Sequence, residues 1–292
     1  MLRALLITPM KDSCLAYKNI WGGFSESEKN AREFIYYLWK EYQRYADPHF
    51  VTEFQKDFDA RFWEMYLTVL LSEKFAIGSL SEGPDILIEN HKIWVEAVTA
   101  TPGREGLPDS VPEIIFNRSM AQELPTDKII LRLTSALNSK LIALNKYIKK
   151  GLVKNTEPYV VALNDGPIGW LGDIDNQRIL KALFPLGDEY VVFDRDSESV
   201  SEPKFKYREE ILKENKSGVK VNNFLSSEYE LVSGVLYSSK GCFNIPKNCG
   251  SELVFVHNPM AKNPIEIGVF PVGSEYYGEL GEEICTLKQI KA

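Results

Sequence analysis

The first clear pattern of hydrophobic and polar positions has the period of a helix. Ser25 and Glu28 have the S-x-x-E spacing of a helix capping box, and Asp47-Pro48 is a dipeptide that ends helices. Between them, apolar side chains recur every three or four residues, which predicts one amphipathic helix. These apolar positions are Phe34, Ile35, Leu38, Tyr42 and Tyr45.

A second helix is predicted from about residue 54 to 75. Phe58 and Phe62 begin one apolar stripe and Trp63 and Leu67 begin another, so we expect this helix to be largely buried. Glu64 lies on the second stripe, and its carboxylate therefore leaves the helix from an apolar face.

A two-stranded ribbon is predicted in residues 83 to 98, GPDILIENHKIWVEAV. If it turns at Asn90-His91, Ile86 faces Val95, and Asp85 faces Glu96. Because side chains alternate between the faces of a strand, one face is wholly apolar and the other carries both acids. The apolar face consists of Ile86, Ile88, Ile93 and Val95; the other face consists of Asp85, Leu87, Trp94 and Glu96.

The remaining elements place this ribbon in a mixed sheet. A helix is predicted from about residue 134 to 149, and a strand at 159 to 163. Residues 167 to 228 are polar and irregular and are interpreted as an insertion or lid with one short helix. Further strands are predicted at 231 to 237 and 253 to 256. This order predicts an α/β or α+β fold around a mixed sheet.

Composition limits the class of protein. The 292 residues include 34 basic and 41 acidic side chains, a net charge of −7, which argues against coating nucleic acid with the whole surface. A local basic groove stays possible. A basic series interleaved with Phe205 and Tyr207 is interpreted either as a flank for a nucleic-acid strand or as a solvated charged helix. Its members are Lys204, Lys206, Arg208, Lys213, Lys216 and Lys220.

No apolar run is long enough for a membrane-spanning helix, and the apolar stretch of the N-terminal segment is too short for a signal peptide. We therefore expect a cytoplasmic protein without a membrane partner, with signal-independent secretion left open. The scattered cysteines indicate neither a disulfide framework nor a zinc site.

The paired acids need a positive partner or a proton between them. Opposite positions place Cβ atoms about 4.5–5.5 Å apart, where two carboxylates repel by roughly 3 kcal/mol at an effective dielectric of about 20. The partner of Asp85 and Glu96 is either a Lys or Arg or a divalent metal, which prefers carboxylate oxygens. Glu64 poses the same alternative: a salt bridge to Arg61, Lys74 or a distant base, or a share in a metal site.

These residues resemble the PD-(D/E)XK nuclease superfamily. Part of its motif is matched by Gly83-Pro84-Asp85 and Trp94-Val95-Glu96-Ala97. The resemblance covers roughly residues 54 to 165 and implies a restriction-endonuclease-like αβββαβ core, with a weak strand near 75 to 80. It implies that Asp85, Glu96 and Glu64 hold Mg²⁺ or Mn²⁺, with the backbone carbonyl of Ala97 often joining them.

The chain departs from the motif at Val98, where the family has a lysine that orients the attacking water and stabilises charge on the phosphate. Some members supply that lysine from elsewhere. On the helix after Thr134, Lys140 lies about 60° from the centre of the apolar stripe and can reach the sheet. Arg132 is a second cation, suited to a substrate phosphate.

The sequence thus predicts a metal-dependent phosphodiester hydrolase acting on DNA or RNA, with Glu64, Asp85, Glu96 and Lys140 as its catalytic residues. One alternative is an inactive nuclease-like module that binds nucleic acid or protein. Another is that the acids face a buried arginine, such as Arg118 or Arg132, and are purely structural. The predicted organisation is an N-terminal helical extension, 1–50, and a nuclease-like α/β domain, 51–292, with its core at 54–165 and added strands at 231–270.

Overall fold

The computed structural model describes residues 4–78, 82–115, 122–170, 177–195, 199–201, 204–280 and 285–291. Within these ranges the protein is a mixed α/β fold built around an eight-stranded sheet. The helices are α1 (Leu15–Gly22), α2 (Glu26–Tyr42), α3 (Phe50–Lys56), α4 (Phe58–Ser72), α5 (Thr126–Lys149) and α6 (Gln177–Leu183).

The large sheet contains the strands β1 (Ile77–Gly78), β2 (Ile86–Ile88), β3 (Ile93–Thr99), β4 (Tyr159–Asn164), β11 (Gly234–Ser238), β12 (Val254–His257), β13 (Ser274–Leu280) and β14 (Cys285–Lys291), in that spatial order. Strand β3 pairs antiparallel with β2 and parallel with β4, and β4 pairs parallel with β11. All of β4 is buried, as expected for a parallel strand in the middle of a sheet that is covered on both faces.

Two hydrophobic clusters cover the two faces of this sheet. One joins α1 to α4 with the apolar face of the ribbon, including Ile86 and Val95. The other joins α5 and α6 with the opposite face, including Trp94 and Val161. The capping box of α2 is formed as predicted, with Ser25 accepting from the backbone of Glu28 and the Glu28 carboxylate accepting from that of Ser25.

The predicted ribbon register is confirmed. Ile86 pairs with Val95, Leu87 with Trp94, and Ile88 with Ile93. The weak strand predicted near residues 75 to 80 is β1, and residues 79 and 80 lie outside the described ranges.

Two helix boundaries were wrong. The single helix predicted at 54 to 75 is two helices, because the backbone of Asp57, with φ −126° and ψ 66°, is not helical. Helix α5 begins at Thr126, eight residues before the predicted start. Its first turns contain Ile129 and Ile130, whose β-branched side chains disfavour a helix locally but are fully buried here, so packing decides the outcome.

The insertion has the predicted short helix, α6, but its basic part is not a charged helix. The insertion instead contains short antiparallel strand pairs, in which β5 pairs with β8, β6 with β7, and β9 with β10. These strands are β5 (Leu186–Tyr190), β6 (Phe193–Asp194), β7 (Ser199–Val200), β8 (Lys204–Tyr207), β9 (Glu210–Leu212) and β10 (Gly218–Lys220). Strands of this length are too short for their alternation to be recognised in the sequence.

Candidate active site

Asp85 lies directly before β2, after the Gly83-Pro84 turn. Gly83 has φ 132°, a backbone conformation that favours glycine. Ile86 pairs with Val95, so extending this register by one residue sets Asp85, which precedes β2, opposite Glu96. The backbone N–H of Ala97 donates to Asp85 Oδ2 over 2.7 Å, which fixes this carboxylate against β3.

Glu96 is the most buried acid of the site, with 4% of its surface exposed. Lys140 Nζ, from α5, donates to Glu96 Oε1 over 2.8 Å, and the hydroxyl of Tyr147 lies 3.4 Å from the same oxygen. The other oxygen, Oε2, is buried and has no hydrogen-bond partner among the described residues. Burial raises the pKa of Glu96, although Lys140 opposes this effect.

Negative charge is therefore incompletely balanced at the ribbon. Burial, followed by the charge of Glu96, raises the pKa of Asp85 from an ordinary 3.8 to about 6, against the opposing effects of Lys140 and the Ala97 N–H. One lysine is shared by two acids that face each other. A further cation would relieve this repulsion.

Glu64 approaches from α4. Its carboxylate accepts hydrogen bonds from Arg61 Nη1 and from the hydroxyl of Tyr42, each over 2.6 Å. Burial and then the charge of Asp85 raise the pKa of Glu64. Glu64 and Asp85 line the same cleft of about 630 Å³, together with Arg61 and Tyr42.

The salt-bridge alternative predicted for Glu64 is thus present with Arg61, while Lys74 instead donates to the backbone carbonyl of Val269. Arg61 also pairs with Glu53. The charge of Asp85 acts on Arg61 as well, so the acid and the ion pair belong to one electrostatic group.

Lys140 reaches the sheet as its angle on the helix predicts, and Lys146, Lys149 and Lys150 are exposed. Val98 is half-buried and packs against the cluster beneath α5. Since alternate residues of β3 share a face, Lys140 approaches from the side of the sheet on which residue 98 lies.

Arg132 does not join the acids. Its Nε donates to the carbonyl of Thr101 over 2.8 Å, and its guanidinium lines another cavity. Arg118, the other candidate for a structural arginine, lies outside the described residues.

Sequence reasoning missed Tyr42 and Tyr147. Tyr147 follows Lys140 by two helical turns, so it lies on the same flank of α5, a spacing that could have indicated it. Tyr42 belongs to the predicted first helix, and only the packing of α2 against α4 brings it to Glu64.

No three His, Cys, Asp or Glu side chains within the described ranges form a group close enough to hold a metal ion. The donor set is nevertheless suitable in kind, because carboxylate oxygens are the preferred ligands of Mg²⁺, and Glu96 Oε2 has no hydrogen-bond partner in the described part of the chain. In the same ranges, no helix is long and apolar enough to cross a membrane.

Comparison of the chain with family models, with curated proteins and with solved structures finds no match.

Proposed function

We propose that the protein is a metal-dependent nuclease, a hydrolase of phosphodiester bonds in DNA or RNA. The observation that carries the proposal is the facing pair of Asp85 and Glu96, whose pKa values are raised although Lys140 contacts Glu96. Glu64 of α4 and Asp85 line one cleft at the start of β2, and Glu96 of β3 acts electrostatically on Asp85. Such an excess of buried negative charge is costly without a bound cation.

Asp85 and Glu96 would hold Mg²⁺ or Mn²⁺, with the carbonyl of Ala97 as a further ligand. When bound, the ion would polarise a phosphate oxygen and lower the pKa of a coordinated water. Glu64, which accepts hydrogen bonds from Arg61 and Tyr42, would bind the ion directly or through water. Arg61 holds this carboxylate in the cleft.

In this proposal Lys140 performs the role of the motif lysine, because the motif position is occupied by Val98. From its position against Glu96 it would orient the attacking water and stabilise the negative charge that develops on the phosphate. The ion pair with the buried Glu96 holds the ammonium group of Lys140, whose side chain is largely buried, at the acids. The proposal includes a cytoplasmic location for the protein.

A second candidate function is a nuclease-like module that binds nucleic acid or protein without cleaving it. The observation in its favour is that Glu64 and Glu96 each already have a cationic partner, Arg61 and Lys140. In that case the pairs would serve only to stabilise the fold.

Cleavage of labelled DNA and RNA with Mg²⁺ or Mn²⁺ separates the two functions. The wild type should cleave, and Lys140→Ala should reduce the rate by roughly 10²–10⁴-fold, the usual contribution of a general acid or base. The double variant Lys140→Ala, Val98→Lys restores the motif lysine on the same face and should recover part of the activity.

Lys146→Ala is the matched control, because Lys146 is exposed on the same helix. Its rate should equal that of the wild type. Full activity of a folded Lys140→Ala protein would remove Lys140 from the mechanism. No cleavage of either nucleic acid by the folded wild type would leave the binding module as the better account.

A further inference from the structure

A second cavity, of about 640 Å³, lies on another side of α5, between this helix, the 101–110 loop and the hairpin of β9 and β10. This volume lies in the range of pockets that bind small molecules. Four basic side chains line it: Arg104, Arg132, Lys213 and Lys220.

These four cations are not neutralised within the part of the chain that the structure describes, since none of them lies within 4 Å of a carboxylate. Two neighbouring acids already have partners, because Asp127 pairs with Arg208 and Glu214 pairs with Lys128. Asp109 and Glu228 also line the cavity, so four positive charges face two negative ones. The cavity is thus locally basic in a protein whose net charge is −7.

Arg132 is held in place before any ligand binds. Its Nε donates to the carbonyl of Thr101, and a Cβ at Gly103 would lie 3.4 Å from its Nη1. Gly103 has φ 95°, which favours glycine at this turn, and the loop backbone lies against the guanidinium. A guanidinium has five N–H donors, and the contacts with Thr101 use only part of them.

The loop and the hairpin are fastened to α5 and to each other. Lys128 of α5 donates to the carbonyl of Pro108 over 2.8 Å, and the N–H of Glu214 donates to Asp109 over 3.0 Å. The helix, the loop and the hairpin that carry the four cations are therefore joined by hydrogen bonds. A preformed cavity of this kind loses little free energy to ordering when a ligand enters.

The cavity is separate from the paired acids. At about 100° per residue, Thr134, Ser135 and Asn138, which line the cavity, lie roughly 120–160° around α5 from Lys140. Arg132 lies about 80° around the helix from Lys140 and two turns before it, and none of the residues that line this cavity lines the cleft of Glu64 and Asp85.

We propose that this cavity binds a phosphate-bearing ligand of about the size of a nucleotide. The planar fork of Arg132 suits two phosphate oxygens, and the lysines add charge without fixed geometry. Ser135, Asn138 and Asn223 offer neutral donors and acceptors for the rest of the ligand, and Leu131 and Val219 offer apolar surface. The phosphate belongs either to a free nucleotide or to one position of a nucleic-acid strand.

Titration calorimetry in EDTA tests this inference independently of the metal-dependent reaction. The probes are AMP, ATP, and 12-nucleotide single strands of DNA and RNA. Binding of AMP or ATP identifies a free nucleotide as the source of the phosphate, whereas binding of the oligonucleotides alone identifies a strand.

Arg132→Ala and Lys220→Ala should each weaken the observed binding by about tenfold or more, as expected for the loss of a charged hydrogen-bond donor. Lys220 is exposed, so its variant keeps the test valid if Arg132→Ala disturbs the loop. Lys149→Ala, at an exposed position of α5, should bind as the wild type does. The inference is overturned if the wild type binds none of the probes, or if Lys149→Ala weakens binding as much as Lys220→Ala.

Discussion

At the scale of residues, the main feature of the site is that its acids have few cationic partners. Asp85 and Glu96 face each other across the ribbon, and among the described residues Lys140 alone forms an ion pair with either of them. Glu64 has Arg61, but that guanidinium also pairs with Glu53. The raised pKa values of all three acids have burial as their largest cause, and the charge of a neighbouring acid adds to the shifts of Asp85 and Glu64.

Replacing Asp85 by Asn should stabilise the metal-free protein in a pH-dependent way. The pKa of Asp85 is about 6 in the folded protein and about 4 when unfolded, so the folded state binds its proton more tightly. The wild type therefore loses stability from this group as pH rises from about 4 to 6, whereas the neutral Asn does not. The stability difference in favour of Asp85→Asn should grow over this interval, to at most about 3 kcal/mol.

Urea unfolding in EDTA at several pH values measures that difference. Glu89→Gln, at an exposed position of the same ribbon, is the control and should show a small difference at every pH. A difference for Asp85→Asn that is flat, or that shrinks with rising pH, would mean that the pKa of Asp85 is not raised in the folded protein.

Much of this residue-level geometry could be predicted from the sequence. The ribbon register follows from the turn at Asn90-His91 together with alternation, and the direction of Lys140 follows from its angle on α5, because both are local properties. The partners Tyr42 and Tyr147 depend on packing between elements. The absence of Arg132 from the site has the same origin, since the loop at Thr101 captures its guanidinium.

At the scale of elements, α4 is fixed to the sheet at the level of the site. The indole N–H of Trp63, which is 1% exposed, donates to the carbonyl of Ala162 over 2.9 Å. Ala162 is the β4 residue that pairs with Ala97 of β3. This bond joins the helix that carries Glu64 to the strands that carry the other acids.

Trp63→Phe should lower the free energy of unfolding by about 2–3 kcal/mol, because it removes a buried hydrogen bond and leaves a gap in the core. Urea unfolding measures the loss. Trp21→Phe is the matched control, since Trp21 is 38% exposed, and should change stability by less than about 0.5 kcal/mol. Equal effects of the two substitutions would show that Trp63 does not anchor α4.

Element boundaries were the part least accessible from the sequence. The apolar spacing runs without a break from α3 into α4, so nothing in the pattern indicates the non-helical backbone at Asp57. No strand was predicted beyond residue 270, so β13 and β14 were missed. In β13, buried Glu275 interrupts the apolar pattern, and it is tolerated because it contacts His257 Nε2 over 2.7 Å and accepts from the N–H of Gly268.

At the scale of the whole molecule, the sheet separates two apolar clusters and places the acids at the edge between them. Glu64 approaches with the helices of one cluster, and Lys140 approaches with the helix of the other. The N-terminal helices α1 and α2 share the first cluster with α4 and with the ribbon. Their removal would therefore expose the core beside Glu64.

Calorimetric titration of Mg²⁺ and Mn²⁺ into the whole protein tests the proposed metal site. We expect the wild type and Glu89→Gln to bind the ion, and folded Asp85→Asn and Glu96→Gln proteins not to bind it, because each lacks one of the facing carboxylates. Absence of binding by the folded wild type, or equal binding by all four proteins, would contradict a metal site between Asp85 and Glu96.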